Sequence, residues 1–190
     1  MKKFIVILLF LSSWGFAQGP LRHRSEANAP DAIATQATTQ DMMAEMKEME
    51  IQVHSYLCDT LAKDLISAAR CHIGARYKRG SIGPKAFDCS GFTSYVFKHM
   101  GIMLKRSSQE QNTQGKAVQE TYDLLPGDLV FFGRGGKTVN HVGIVTNVDS
   151  KEGTFTFIHA STSRGVRIDS STDDYWISRY AGARRIIGSI

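Results

Sequence analysis

The stretch Phe87-Asp88-Cys89-Ser90-Gly91-Phe92 sets a thiol at the point where a helical repeat begins. Phe92, Val96, Phe97 and Met100 recur on one side at helical spacing, and Gly101 supplies a stop. Cys89 therefore falls in the first turn of a helix. The unpaired N–H groups and the helix dipole there favour a thiolate and can hold an oxyanion. An ordinary thiol, with a pKa of about 8.5, is only a few per cent ionised at neutral pH. The position thus predicts a lowered thiol pKa. Asp88 would oppose this if its carboxylate pointed at the sulfur. Facing a substrate groove or capping the helix are the placements compatible with a reactive Cys89.

Two histidines follow on separate strand patterns, His141 in Val139-Asn140-His141-Val142-Gly143-Ile144 and His159 in Phe157-Ile158-His159-Ala160-Ser161. Taken singly, each reads as a structural histidine satisfied by backbone. Taken with the cysteine segment, they read as a base and an orienting group. His141 would accept the proton of Cys89 and return it to a leaving amine. His159 would hold the other ring nitrogen and fix the tautomer, the part a carboxylate or amide plays in other triads.

Working outward, Leu61, Leu65, Ala68, Ala69 and Ile73 mark a helix before the cysteine, stopping at Gly74. An earlier helix carries Met42, Met46, Met49 and Val53 at helical spacing, a stripe expected to be packed rather than to hold a cofactor. After the cysteine helix the pattern changes. Residues 128–132 follow the turn signal Pro126-Gly127, and 141–148, 154–159, 166–168 and 181–187 are further strand candidates between Gly, Asp, Asn and Ser. Helices first and strands second predict an α+β domain, with an antiparallel sheet packed on the helical half.

The first 17 residues read as an export signal. Lys2 and Lys3 precede a wholly apolar run from Phe4 to Leu11, and Gly15 and Ala17 suit cleavage before Gln18. The run falls short of the roughly 20 residues of a spanning helix, so no stable membrane anchor is expected after cleavage. The first cysteine is Cys58, which gives no site for a lipid at the new N-terminus. Residues 18–40, rich in Ala, Thr, Gln, Asn and Pro, read as a flexible linker. Residues 41–190 are left as one catalytic domain with a helical extension. A secreted protein, periplasmic or extracellular, and a monomer is expected.

Length and composition fit this plan. A chain of 190 residues with 42% hydrophobic and 22% charged residues builds one domain with a core. The formal charge of +5 falls by two when the signal leaves, and no basic stripe interleaved with aromatics argues for nucleic acid. Three cysteines leave at least one thiol unpaired. If Cys58 and Cys71 share one continuous helix, they are about 20 Å apart, far beyond disulfide reach. No His-Glu-x-x-His or paired Cys-x-x-Cys occurs, so neither a metal site nor another cofactor is expected. Ser90 lacks the Gly-x-Ser-x-Gly setting of a serine nucleophile.

The order of motifs resembles the NlpC family of cell-wall peptidases, which have a papain-like fold. The resemblance covers roughly residues 61–187. It rests on Gly74-Ala75-Arg76-Tyr77, Phe87-Asp88-Cys89-Ser90-Gly91, Leu104-Lys105-Arg106-Ser107-Ser108 followed by Gln111, and Leu125-Pro126-Gly127-Asp128-Leu129-Val130-Phe131-Phe132. It continues through His141-Val142-Gly143-Ile144, Phe157-Ile158-His159-Ala160 and Ala183-Arg184-Arg185.

The resemblance implies a secreted cysteine endopeptidase acting on the stem peptides of peptidoglycan. Family members cut between D-glutamate and a diamino acid, or cut stem cross-links. It implies Cys89 as nucleophile, His141 as base and His159 as orienter. It further implies Tyr77 beside the thiol, and Asp88, Ser90, Arg106 and Ser108 as binders of polar stem groups. Arg76 stands where the family often has Pro, Arg79-Gly80-Ser81 where it usually has Trp-Gly-Gly, and Lys105 where Pro is frequent. These departures bear on substrate preference rather than on the chemistry. A wall amidase or acyltransferase using the same acyl-enzyme chemistry, and an antibacterial effector degrading a competitor's wall, remain alternatives at this point.

Overall fold

The computed structural model describes residues 31–135 and 138–188, with side chains from residue 39 onward. The expected export signal and residues 18–30 of the expected linker lie outside the described residues. The chain divides into two compact units, Met1–Met43 and Ala44–Ile190. The described part of the first is helical from Asp31, so residues 31–40, read as linker, form helix. Ala32, Ala34 and Ala37 are strong helix formers.

Helix α1 spans Asp31–Arg70, one helix where the sequence suggested two. No glycine or proline interrupts residues 42–70, so nothing breaks the repeat. The methionine stripe does not pack as expected. Met42, Met46, Met49 and Val53 are all more than half exposed. Among the described side chains of α1, burial is confined to its last turns, where Ala62, Leu65 and Ala69 enter the core. Cys58 lies on α1 and Cys71 directly after it, and both are free thiols, as is Cys89. No helix among the described residues is long and apolar enough to cross a membrane.

A short parallel pair follows, β1 (Arg76–Tyr77) with β2 (Ala86–Phe87). It leads into α2 (Cys89–His99) and the one-turn helix α3 (Ser108–Gln111). The strands are β3 (Lys116–Val118), β4 (Leu129–Arg134), β5 (Thr138–Asp149), β6 (Thr154–Ser161), β7 (Gly165–Ser170) and β8 (Tyr180–Arg185). A short helix α4 (Asp174–Ile177) precedes β8. The strands form one sheet in the order β3-β8-β4-β5-β6-β7, each neighbour antiparallel. The architecture is α+β, with a helix that presents the thiol packed on an antiparallel sheet, the papain-like arrangement the resemblance implied.

The sheet is buried on both faces, which explains the unbroken apolar run in β4. Leu129 and Phe131 join Val142, Ile144, Ile158 and Ala160 in a core shared with Phe92, Val96 and Phe97 of α2. Val130 and Phe132 face the other way, into a second core with Val145, Phe155, Phe157 and Trp176. Each fully buried Phe or Leu stabilises the fold by roughly 1.5–3 kcal/mol. Through these two cores the sheet locks α2 on one face and α4 on the other.

Candidate active site

Asp88 caps α2: its Oδ1 accepts the Gly91 N–H at 2.6 Å while its Oδ2 accepts the Gly80 N–H at 2.8 Å. Arg106 forms an ion pair with the same carboxylate, donating from Nη1 to Oδ1 at 3.1 Å, and reaches Ser90 Oγ at 3.0 Å. Burial pushes the Asp88 carboxyl up, but Arg106 and the Gly91 and Gly80 N–H groups outweigh it and hold the group below its ordinary range. Asp88 therefore acts as a cap and a counter-ion to Arg106.

Loop 104–111 is pinned onto α2 by Gln111, which is fully buried. Its Nε2 lies within donating distance of Ser90 O (3.1 Å), Ser94 Oγ (2.9 Å) and Lys105 O (2.8 Å), and its Oε1 accepts from Thr93 Oγ1 at 2.8 Å. Ser108 is also buried, in the first turn of α3. The structure thus joins Asp88, Ser90 and Arg106 in one polar cluster and sets Ser108 in the adjoining turn.

Cys89 is 9% exposed at the start of α2. Its Sγ meets β5 on both sides of His141: it approaches Asn140 O at 3.9 Å and receives the backbone N–H of Val142. The expected lowering of the thiol pKa does not occur in the resting site. Burial pushes the thiol up and the Asp88 charge adds to this, against the opposing backbone N–H groups of Ser90, Val142 and Cys89 itself. Withdrawal from water outweighs the helix N-terminus here. Tyr77 lies close enough for the charges of Cys89 and Asp88 to reinforce burial in raising its own pKa.

His141 and His159 are brought together with a third group absent from the sequence reading. His141 Nε2 and His159 Nδ1 are 2.8 Å apart, and His159 Nε2 lies 3.0 Å from Asp169 Oδ2. Asp169 sits on β7 opposite Phe157 and so diagonal to His159 on the same sheet face. It accepts the Trp176 Nε1–H at 3.2 Å and forms an ion pair with Arg167. Trp176 in turn stacks on His141, ring centres 5.4 Å apart at 24°.

The partners assign the protons. A carboxylate only accepts, so His159 Nε2 carries the hydrogen and His159 Nδ1 presents a lone pair. His141 Nε2 then donates to it, which leaves His141 Nδ1 as a free lone pair. Burial lowers the His141 pKa to about 3, helped by the neighbouring His159. Burial also lowers that of His159, against the raising effect of Asp169. The resting state holds a neutral imidazole with a defined accepting nitrogen on the strand whose backbone, at Asn140 and Val142, meets a neutral thiol.

Beside this cluster runs a groove of about 1170 Å³, lined by Tyr77, Asn140, His141, Asp169 and Trp176 among others. Of the predicted site residues Tyr77 and His141 line it, and Cys89, His159, Asp88, Ser90, Arg106 and Ser108 do not.

Residues 74–185 match the NlpC/P60 family. The chain is 37% identical over 159 residues to a "Murein DD-endopeptidase MepS/Murein LD-carboxypeptidase" of Escherichia coli strain K12, spanning 83% of this chain and 79% of that one. It is 38% identical over 124 residues to a "Gamma-DL-glutamyl hydrolase" of Bacillus subtilis strain 168, 64% of this chain and 28% of that one. Among solved structures, an NlpC/P60 family protein from Bacillus cereus ATCC 10987 superposes with a TM-score of 0.60 at 34% identity, over 66% of this chain and 40% of that one. The motif order, the fold and these matches agree: the chain belongs to the NlpC/P60 family.

Proposed function

We propose that this member of the family, a cell-wall peptidase, is a secreted thiol endopeptidase that hydrolyses peptidoglycan stem peptides. The bond cut is that between D-glutamate and a diamino acid, or a stem cross-link. The observation that carries the reading is that Cys89 Sγ meets the backbone on both sides of His141, the first ring of the relay His141–His159–Asp169.

In this mechanism Cys89 Sγ attacks the scissile carbonyl as its proton passes to His141 Nδ1. The N–H groups of Cys89 and Ser90, which face the sulfur and which no helical carbonyl can reach, hold the oxyanion, while the Gly91 N–H stays with the Asp88 cap. The imidazolium is offset by the indole face of Trp176 and by the relay to Asp169. The tetrahedral intermediate collapses, the amine leaves with the proton from His141, and a thioester remains on Cys89. Water, losing a proton to His141, then attacks the thioester and releases the carboxylic acid and the thiol.

The likeness to a "Murein DD-endopeptidase MepS/Murein LD-carboxypeptidase" and to a "Gamma-DL-glutamyl hydrolase" supports a peptidase that acts on murein or on a glutamyl bond. Secretion is supported by the basic start and apolar run of residues 2–11, and by a substrate that lies outside the cytoplasm. Mass spectrometry of purified muropeptides, before and after incubation with wild type and Cys89→Ala, tests the proposal. Wild type is expected to release fragments whose masses name the bond, and Cys89→Ala to release none. Identical profiles for both proteins across several wall types would overturn it.

A further inference from the structure

The groove beside His141 is strongly cationic, and its cations come from separate places in the fold. Arg79 comes from the β1–β2 connection, Arg134 from the end of β4, Arg164 from the β6–β7 turn, Arg167 from β7, and Arg179 from the segment before β8. Against these five arginines the groove sets two carboxylates, Asp169 and Asp173. Asp169 is engaged with His159, Trp176 and Arg167. Arg179 is fixed in place, its guanidinium 3.8 Å above the Tyr175 ring and donating to Tyr175 O at 3.0 Å. No carboxylate among the described residues pairs with Arg79, Arg134 or Arg164.

Convergence of guanidinium groups from five positions on one concave wall is unlike a run of charges on an exposed face. Arginine matches a carboxylate through two parallel N–H donors, which gives orientation as well as attraction. The volume of about 1170 Å³ leaves room for several residues of a peptide. A D-glutamate joined through one carboxyl keeps the other free, and a stem also ends in a carboxylate. The cations of the other cluster do not compete for this task, since Arg106 is held by Asp88.

We propose that this groove is a carboxylate-reading subsite that selects stems with free carboxylates over stems whose carboxyls are amidated. Arg134 and Arg164 are its specificity-determining residues, with Arg79 at its rim. The proposal rests on the stem-peptide reading and names the chemical form of the stem that the site takes.

The test is binding of a matched pair of synthetic stem peptides, one with free carboxyls and one with carboxamides, to full-length Cys89→Ala by calorimetry. The acid peptide is expected to bind about 10-fold more tightly, each charge-assisted contact contributing, and the gap is expected to narrow in high salt. Adding Arg134→Gln and Arg164→Gln together should bring the two affinities to within about twofold. The double change Lys98→Gln and Lys116→Gln, an equal loss of charge outside the groove, should leave the gap in place. Equal affinity for the two peptides, or an equal effect of both double variants, would overturn the subsite. Cleavage by wild type is scored separately. Selective binding without cleavage would sink the peptidase reading and leave the subsite standing, whereas cleavage without selection would do the reverse.

Discussion

His159 Nε2 lies 3.0 Å from Asp169 Oδ2, and this contact decides which nitrogen of the next ring is basic. With the carboxylate accepting, the hydrogens run in one direction along the relay and His141 Nδ1 is left bare. Asp169→Asn removes that direction, because an amide can donate as readily as accept. The expected result is a kcat lower by about 10–100-fold, the usual cost of disturbing an orienting partner, with KM changed little. Steady-state kinetics on muropeptides check this. Imidazole ¹⁵N shifts should show mixed tautomers in the variant, which a purely structural role for Asp169 would not produce.

His159, buried, and His141, half-buried, make stability depend on pH. His141 has a folded pKa of about 3 against an ordinary 6.5, and that of His159 is lowered too. Both stay neutral in the fold while the unfolded chain takes up protons below pH 6.5. Stability is therefore fully present above about pH 6.5 and falls as the pH drops toward 3. Thermal melts between pH 3 and pH 8 should show Tm declining through that window. His141→Gln, which cannot be protonated, should flatten the decline, and an unchanged slope would show that this ring is not its source.

Gly91 is the residue that lets the thiol-bearing helix start where it does. A Cβ built there would sit 2.2 Å from Ser81 O and 2.8 Å from Asp88 Oδ1. The same Ser81 carbonyl accepts the Asp88 N–H, so neither side can yield without loosening the cap. Gly91→Ala is expected to cost about 1–3 kcal/mol of stability, as overpacked sites do. It should also lower kcat, since Cys89 moves with the helix end. Chemical denaturation with parallel kinetics would show both.

Gln111 holds the Arg106 loop to α2 through buried contacts to Ser90 O, Ser94 Oγ and Lys105 O. Gln111→Leu keeps the bulk and leaves those acceptors without their donor, at an expected cost of about 1–3 kcal/mol. Denaturant melts measure it. A change under about 0.5 kcal/mol would mean that water replaces the amide.

The cysteine segment was legible because its local chemistry, an aspartate cap, small residues and a helical repeat, is complete within a few positions of Cys89. The two histidines were legible because each interrupts an apolar strand. Asp169 and Trp176 were not, because their roles are created across the sheet. Asp169 reaches His159 only through the pairing that sets Phe157 opposite it, and a slip of one residue would turn it to the other face. Trp176 sits on a four-residue helix with no periodic pattern to announce it. The thiol pKa was misread because a helix N-terminus is visible in sequence and the depth at which it is buried is not. The methionine stripe was misread for the converse reason: its periodicity is plain, and only the structure shows those residues exposed.

Trp176 is the one tryptophan among the described residues, and its indole rests on His141 while its N–H is tied to Asp169. That makes the protein its own optical probe. An imidazolium draws an electron from an excited indole, so fluorescence from this ring dims when His141 gains a proton. The emission should also shift when a ligand displaces water from the groove it lines. With the first 17 residues removed, and Trp14 with them, proton movement and occupancy of the site can thus be followed in real time on the unlabelled chain, at a wavelength the substrate does not share.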